Sequence, residues 1–235
     1  MRIGKRTTHA LALLAGLILA GASQAQDGPA RAIEASGDEK SDLKVGITRY
    51  IGEVEVTHNG EKVTIRRNQD TSNTVDERYA RTSRECPPFC IQPASLHPDV
   101  ETIGELEVLN YLQRRAEGDD SVLIVDSRTP DWVEQGTIPG SVNIPWTELS
   151  QSQGADPFTI HDIMTGQFNA QEQEGLWDFS NARTLVLFCN GPWCGQSPAN
   201  IRTLLRYGYP ANRIKWYRGG MQSWENLGLT TVPGN

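Results

Sequence analysis

A cysteine closes the apolar run Thr184–Phe188 (TLVLF), and eight residues separate it from Pro198: Asn190, Gly191, Pro192, Trp193, Cys194, Gly195, Gln196 and Ser197. A short, continuous apolar run suits a strand buried on both faces of a parallel sheet. In such sheets ligands bind beyond the carboxyl ends of the strands, which is where Cys189 falls. Ser197-Pro198 predicts a helix start with Ser at N-cap and Pro at the first helical position. Unpaired N–H groups and the helix dipole favour an anion there, and the same field favours thiolate, the reactive form of cysteine. Gly191 and Gly195 allow backbone amides to turn inward. The pattern points to a nucleophilic thiolate beside an amide-lined anion cradle. The plain structural alternative is an inert cysteine buried at a strand end.

Three further cysteines modify that chemistry. Cys194 stands five residues after Cys189 in the same loop. It could resolve a covalent adduct on Cys189 or pair with it as a disulfide, or bond to Cys86 or Cys90, or stay free. Cys86 and Cys90 flank Pro87-Pro88-Phe89 and fit a local disulfide. A zinc site built from all four is disfavoured by the C-x3-C and C-x4-C spacings, so no metal is expected. The loop from Asn190 to Ser197 holds no Lys or Arg. Any positive charge must therefore come from outside it, with Arg202 and Arg218 as candidates and Arg202 better suited to solvent.

The elements that must position this loop follow from periodicity. Ser121–Val125 (SVLIV), ending at Asp126, reads as a second buried strand, and Ile214–Tyr217 as a third. Leu106, Leu109 and Leu112 recur at helical spacing behind Thr102-Ile103-Gly104-Glu105, which fits a capping box. Asp156-Pro157 opens a helix to Gln167, Ser197-Pro198 one that stops at Gly208, and Gly219-Gly220 a last short helix over Met221–Leu227. Alternating strands and helices predict an α/β domain over 99–235 with a central parallel sheet. Before it, Val54 and Val56, then Val63 and Ile65, alternate around His58-Asn59-Gly60-Glu61. Asn-Gly between alternating runs is a strong hairpin signal. Residues 45–98 thus read as a β-hairpin followed by an irregular Cys/Pro-rich extension, and the small polar stretch 26–44 as a flexible linker.

Residues 1–25 have the form of a secretory signal peptide, with Arg2, Lys5 and Arg6 before the apolar stretch Ala10–Gly21 and small residues at Ser23 and Ala25. Cleavage after Ala25 is expected, giving a periplasmic or secreted protein with no membrane association thereafter. It would leave 19 basic and 29 acidic residues, a net charge of −10. So acidic a chain disfavours nucleic acid as a partner.

Three blocks together resemble the rhodanese-like (sulfurtransferase) family over about Val100–Thr231. They are Leu123-Ile124-Val125-Asp126-Ser127-Arg128 with Trp132; Gly136-Thr137-Ile138-Pro139-Gly140-Ser141-Val142-Asn143-Ile144-Pro145; and Phe188-Cys189-Asn190-Gly191 with Trp216-Tyr217-Arg218-Gly219-Gly220 and Trp224. The resemblance implies a three-layer domain in which Cys189 takes sulfane sulfur as a persulfide and passes it to a thiophilic acceptor. It implies a small sulfur-containing anion or a protein persulfide as donor and a thiol as acceptor, with no metal or organic cofactor needed. Asp126 and Arg128 match the family's D-x-R element and are expected to support the turn. Departures are a loop about two residues longer than C-x-x-G-x-R-S, Gln196 where an arginine usually stands, and Thr137 in place of a histidine. The missing arginine argues against a phosphatase of the C-x5-R type. Two other functions fit the same residues: a thiol–disulfide relay through Cys189 and Cys194, and a non-catalytic binding module.

Overall fold

The protein is described by a computed structural model covering residues 29–34 and 40–234. The expected signal peptide lies outside the described residues, as does part of the expected linker. The strands are β1 (Glu53–His58), β2 (Glu61–Arg66), β3 (Glu101–Ile103), β4 (Val122–Asp126), β5 (Val142–Asn143), β6 (Gln171–Gln173), β7 (Leu176–Asp178), β8 (Thr184–Phe188) and β9 (Ile214–Tyr217). The α-helices are α1 (Glu77–Ala80), α2 (Glu105–Ala116), α3 (Pro130–Val133), α4 (Trp146–Leu149), α5 (Pro157–Asp162), α6 (Gln196–Arg206) and α7 (Gly220–Asn226).

Five strands form one parallel sheet in the order β3-β9-β8-β4-β5. Every residue of β4, β8 and β9 is buried, as continuous apolar runs require when helices cover both faces. Alternate side chains serve opposite layers. Val122, Ile124, Val186 and Phe188 pack with Val108, Leu109 and Leu112 of α2 and with Met221 and Trp224 of α7. Leu123, Val125, Leu185 and Leu187 pack with Leu149, Ile160, Ile201 and Leu204 from α4, α5 and α6. The sheet and its helices realise the three-layer α/β expectation.

The hairpin forms as its turn chemistry dictates: Asn59 and Gly60 both take positive φ, 51° and 82°, between paired β1 and β2. Its apolar face, Val54, Val56 and Ile65, joins the α2 side of the core. From its end the chain runs beside residues 228–230, with Asn68 N–H donating to the Gly228 carbonyl at 2.7 Å.

Several expectations are corrected by packing and hydrogen bonding. The cap of α2 is Gly104, whose N–H donates to the Glu107 carboxylate at 2.9 Å, whereas Thr102 lies in β3 and donates to the Ala94 carbonyl. The helix expected at 156–167 is α only to Asp162, with Asp156 accepting from the Phe158 N–H, and continues to Gln167 as π-helix. Within the expected flexible linker, Ile33 is buried and its N–H donates to the Leu106 carbonyl. The buried Ile33 side chain, that backbone bond and the Ala30 N–H, which donates to the Glu101 carboxylate at 2.9 Å, draw residues 29–34 onto the domain. The extension holds a short helix, α1, capped by Asp76. The β6–β7 hairpin lacks an apolar alternation in the sequence; its turn is Glu174-Gly175, both at positive φ.

Ile65 is fully buried where the hairpin meets α2. Ile65→Ala is expected to lower the unfolding free energy by about 2–5 kcal/mol, read as an earlier urea midpoint with an unchanged slope.

Candidate active site around Cys189

β8 delivers Cys189 to the carboxyl edge of the sheet, and the chain turns through the loop 190–195 into α6. The helix begins at Gln196 with Gly195 as its cap. Ser197 is therefore not the N-cap that its sequence position suggests; it sits inside the first turn and is fully buried. Freed from capping, its hydroxyl donates to Cys189 Sγ at 3.2 Å and accepts from the Trp216 indole N–H at 3.2 Å.

Cys189 and Cys194 are both free thiols, 3 % and 5 % exposed. Burial pushes the Cys189 thiol up. Four hydrogen bonds outweigh it, from the Cys194 thiol, the Ser197 hydroxyl and the backbone N–H groups of Ser197 and Gly191, and the pKa falls from 9.0 to about 7. Cys194 moves the opposite way: burial raises it, and donating its proton to Cys189 raises it further, against opposing bonds from the Gln196 and Asn190 amides. The pair thus holds its first negative charge on Cys189, with Cys194 as the thiol that donates to it. Backbone N–H groups of Ser197 and Gly191 lower the Cys189 pKa, and those of Gln196 and Asn190 oppose the rise at Cys194.

Helix α7 holds the other side of the loop. The Met221 N–H donates to the Cys189 carbonyl at 3.0 Å, and the Gln222 N–H to the Asn190 carbonyl at 2.9 Å. The Gln222 side chain accepts from the Trp193 indole at 2.7 Å. Gly220 makes this approach possible. It has φ 54°, and a Cβ there would lie 2.2 Å from the Cys189 carbonyl oxygen and 2.8 Å from the Gly191 nitrogen.

Asp126 and Arg128 are both fully buried and form an ion pair, Nη2 to Oδ2 at 2.6 Å. Asp126 also accepts from the Arg128 N–H, closing the turn after β4, and from the Thr137 hydroxyl at 2.7 Å. Arg128 further donates to the Gly136 and Trp132 carbonyls and to the Tyr79 hydroxyl, which itself donates to Asn190 Oδ1 at 3.4 Å. The D-x-R element therefore braces the loop from behind through α1. Thr137, the residue that stands in place of the family's histidine, is a member of this network.

The extension covers the loop's outer side. Gln92 N–H donates to the Pro192 carbonyl at 2.7 Å, and the Phe89 ring meets Trp193 edge-on at 5.6 Å. The Arg84 guanidinium lies 4.1 Å above the Trp193 ring. Cys86 and Cys90 are bonded to each other, closing the segment that presents Phe89. Arg218 is held by this segment, donating to the Gln92 and Pro93 carbonyls at 2.9 Å each, and Arg202 is exposed. Neither candidate cation contacts the sulfurs. Tyr79, Arg84, Phe89 and Gln222 carry no local sequence signal for the roles they take here, because each acts across a long sequence separation. Ser127 Oγ, Trp146 Nε1 and Asn200 Oδ1 are buried without a hydrogen-bond partner among the described residues.

The rhodanese-like domain profile matches residues 108–227, just over half of the chain. The chain belongs to the rhodanese-like family. The rhodanese fold here is preceded by the antiparallel β1–β2 hairpin. A curated relative is an HTH-type transcriptional regulator of Mycobacterium tuberculosis, 27% identical over 123 residues; the match spans 52% of this chain and 42% of the regulator. Among solved structures, a Rhodopseudomonas palustris protein described as a possible tyrosine phosphatase is 23% identical, with a TM-score of 0.38 over 58% of this chain and 88% of that one. A human single-domain sulfurtransferase is 22% identical, with a TM-score of 0.34 over 53% of this chain and 95% of that one.

Because the Cys189 pKa is about 7, alkylation of Cys189 by iodoacetamide is expected to rise with pH through about 7 rather than 9.0. Ser197→Ala removes a donor to the sulfur and is expected to move that midpoint upward; peptide mapping of the labelled cysteine reads both. Gly220→Ala is expected to destabilise the fold and slow Cys189 alkylation at pH 7, since the new Cβ overlaps backbone that cannot yield cheaply.

Proposed function

We propose that this protein is a sulfurtransferase that carries sulfane sulfur as a persulfide on Cys189. The observation that carries the reading is a cysteine at the sheet edge whose sulfur accepts from the buried Ser197 hydroxyl at 3.2 Å and whose pKa is lowered to about 7. With thiosulfate as donor, the Cys189 thiolate attacks the outer sulfur and forms a new S–S bond. The donor's own S–S bond breaks, and sulfite leaves with the electron pair. An acceptor thiolate then attacks the outer persulfide sulfur and returns Cys189 as thiolate. The hydrogen bonds that stabilise the Cys189 thiolate also make it a good leaving group in that second step. The burial of the thiol means that a donor enters as the loop or the overlying extension moves outward.

A second reading rests on the hydrogen bond between the Cys194 and Cys189 thiols: a thiol–disulfide relay through that pair. Titration of native, unreduced protein separates the two, because a relay isolated in its oxidised form has no free thiol. The work is proposed to take place outside the cytoplasm, consistent with a signal-like amino terminus and the Cys86–Cys90 disulfide.

Intact mass after incubation with thiosulfate or polysulfide is expected to rise by about 32 Da, one sulfur atom, through the activated thiolate, and the gain is expected to vanish in Cys189→Ser. No adduct from any sulfane donor would reject the sulfurtransferase reading.

A further inference from the structure

Much of the active loop's backbone is engaged within the loop itself: the amides of Gly191 and Ser197 act on Cys189, those of Asn190 and Gln196 on Cys194, Pro192 has none, and the Cys194 N–H donates to the Gly191 carbonyl, which leaves the amides of Trp193 and Gly195. The loop carries no cationic side chain. Arg128, the cation buried behind it, is neutralised by Asp126. Arg218 is spent on the Gln92 and Pro93 carbonyls.

Arg84 differs from both. Its guanidinium stacks on Trp193, within the loop itself, 4.1 Å from the ring centre. Of its donors only Nη2 is committed, to the Arg78 carbonyl at 2.5 Å. Its Nε is buried without a hydrogen-bond partner, and no carboxylate among the described residues pairs with it. The adjacent Glu85 and the nearby Glu77 are exposed and form no ion pair with it. Burial destabilises the charged guanidinium, and the like charge of Arg81 adds to the effect. A partly buried cation with open donors, no counter-ion and a cationic neighbour is an unfinished anion site, since such groups are ordinarily paired. Its planar donors match the oxygen edge of a sulfonate.

We propose that Arg84 binds the oxyanion end of a small anionic sulfane-sulfur donor of the thiosulfate class, so that the extension supplies the cation the active loop lacks. This deepens the sulfurtransferase reading of Cys189 and rests on it for the identity of the anion. It assigns the extension a task in substrate selection: just before the disulfide-closed segment 86–90 it holds a guanidinium at the loop's rim and thereby favours anionic donors over neutral ones.

Two measurements test it. Calorimetric titration of Cys189→Ser, which cannot react, with thiosulfate is expected to show binding, weakened about ten-fold or more by adding Arg84→Gln and only partly restored by Arg84→Lys, which keeps the charge and loses the planar fork. No binding, or equal affinity with and without Arg84, would overturn the proposal. In the protein with Cys189 intact, Arg84→Gln is expected to raise the thiosulfate concentration for half-maximal sulfur uptake by about ten-fold or more. Reaction with a neutral dialkyl trisulfide, in which the Cys189 thiolate attacks the central sulfur, an alkyl thiolate leaves and Cys189 carries the alkyl trisulfide, should be unchanged. Equal loss with both donors means that Arg84 merely packs on Trp193, and overturns the proposal. Failure of the unsubstituted protein to take sulfur from any donor strikes the sulfurtransferase reading instead, and is distinguished by the calorimetry.

Discussion

The site depends on two backbone carbonyls. Those of Cys189 and Asn190 are bound by the first amides of α7, and the approach is close enough that only a residue without a side chain can stand at position 220. Fixing these carbonyls fixes the direction in which the following loop folds back. Amides and the Ser197 hydroxyl then meet the sulfur from the opposite side. The low pKa of Cys189 is thus produced first by the Cys194 and Ser197 side chains that this geometry brings to the sulfur and then by the backbone amides of Ser197 and Gly191, with no cationic side chain hydrogen-bonded to it.

Behind this loop lies a dry ionic network. Asp126 and Arg128 are buried together, and a buried pair contributes little stability by itself because desolvation offsets attraction. Its role here is to position. Arg128 reaches the Tyr79 hydroxyl, and Tyr79 reaches Asn190, so α1 of the extension is tied to the loop through the domain's interior. On the outside the same extension binds Pro192 and packs on Trp193. The extension therefore grips the loop from two sides, and the hairpin before it anchors the chain through Val56 and Ile65 in the main core.

Coupling of the two cysteines gives the loop a property a lone thiol lacks. Cys194 stays protonated because it is buried and donates to Cys189, and by donating it stabilises charge on its neighbour. One thiol is prepared as nucleophile at the expense of the other. The same proximity is what a disulfide between them would need, so transfer and relay chemistry share a geometry and differ in which partner reaches the thiolate first.

Much of this was legible in local sequence. Buried runs at 122–125 and 185–188 specified strands because the middle of a sheet covered on both faces is filled mainly by apolar residues, and Asn59-Gly60 specified a hairpin because its turn needs two positive φ angles. The position of Cys189 at a strand's carboxyl end followed from the same pattern. The β6–β7 hairpin escaped because β6 is polar and both strands are three residues long and largely exposed, and Ser197 was read as the cap when it lies within the first turn because Ser-Pro signals a helix start without deciding which residue caps it. What only the tertiary structure decided is who meets whom across distance. Tyr79 and Asn190 are 111 residues apart, Trp216 and Ser197 belong to different elements, and Arg84 finds Trp193 from the irregular extension. No periodicity encodes such contacts, since they arise when separate segments compete for the same edge of one sheet.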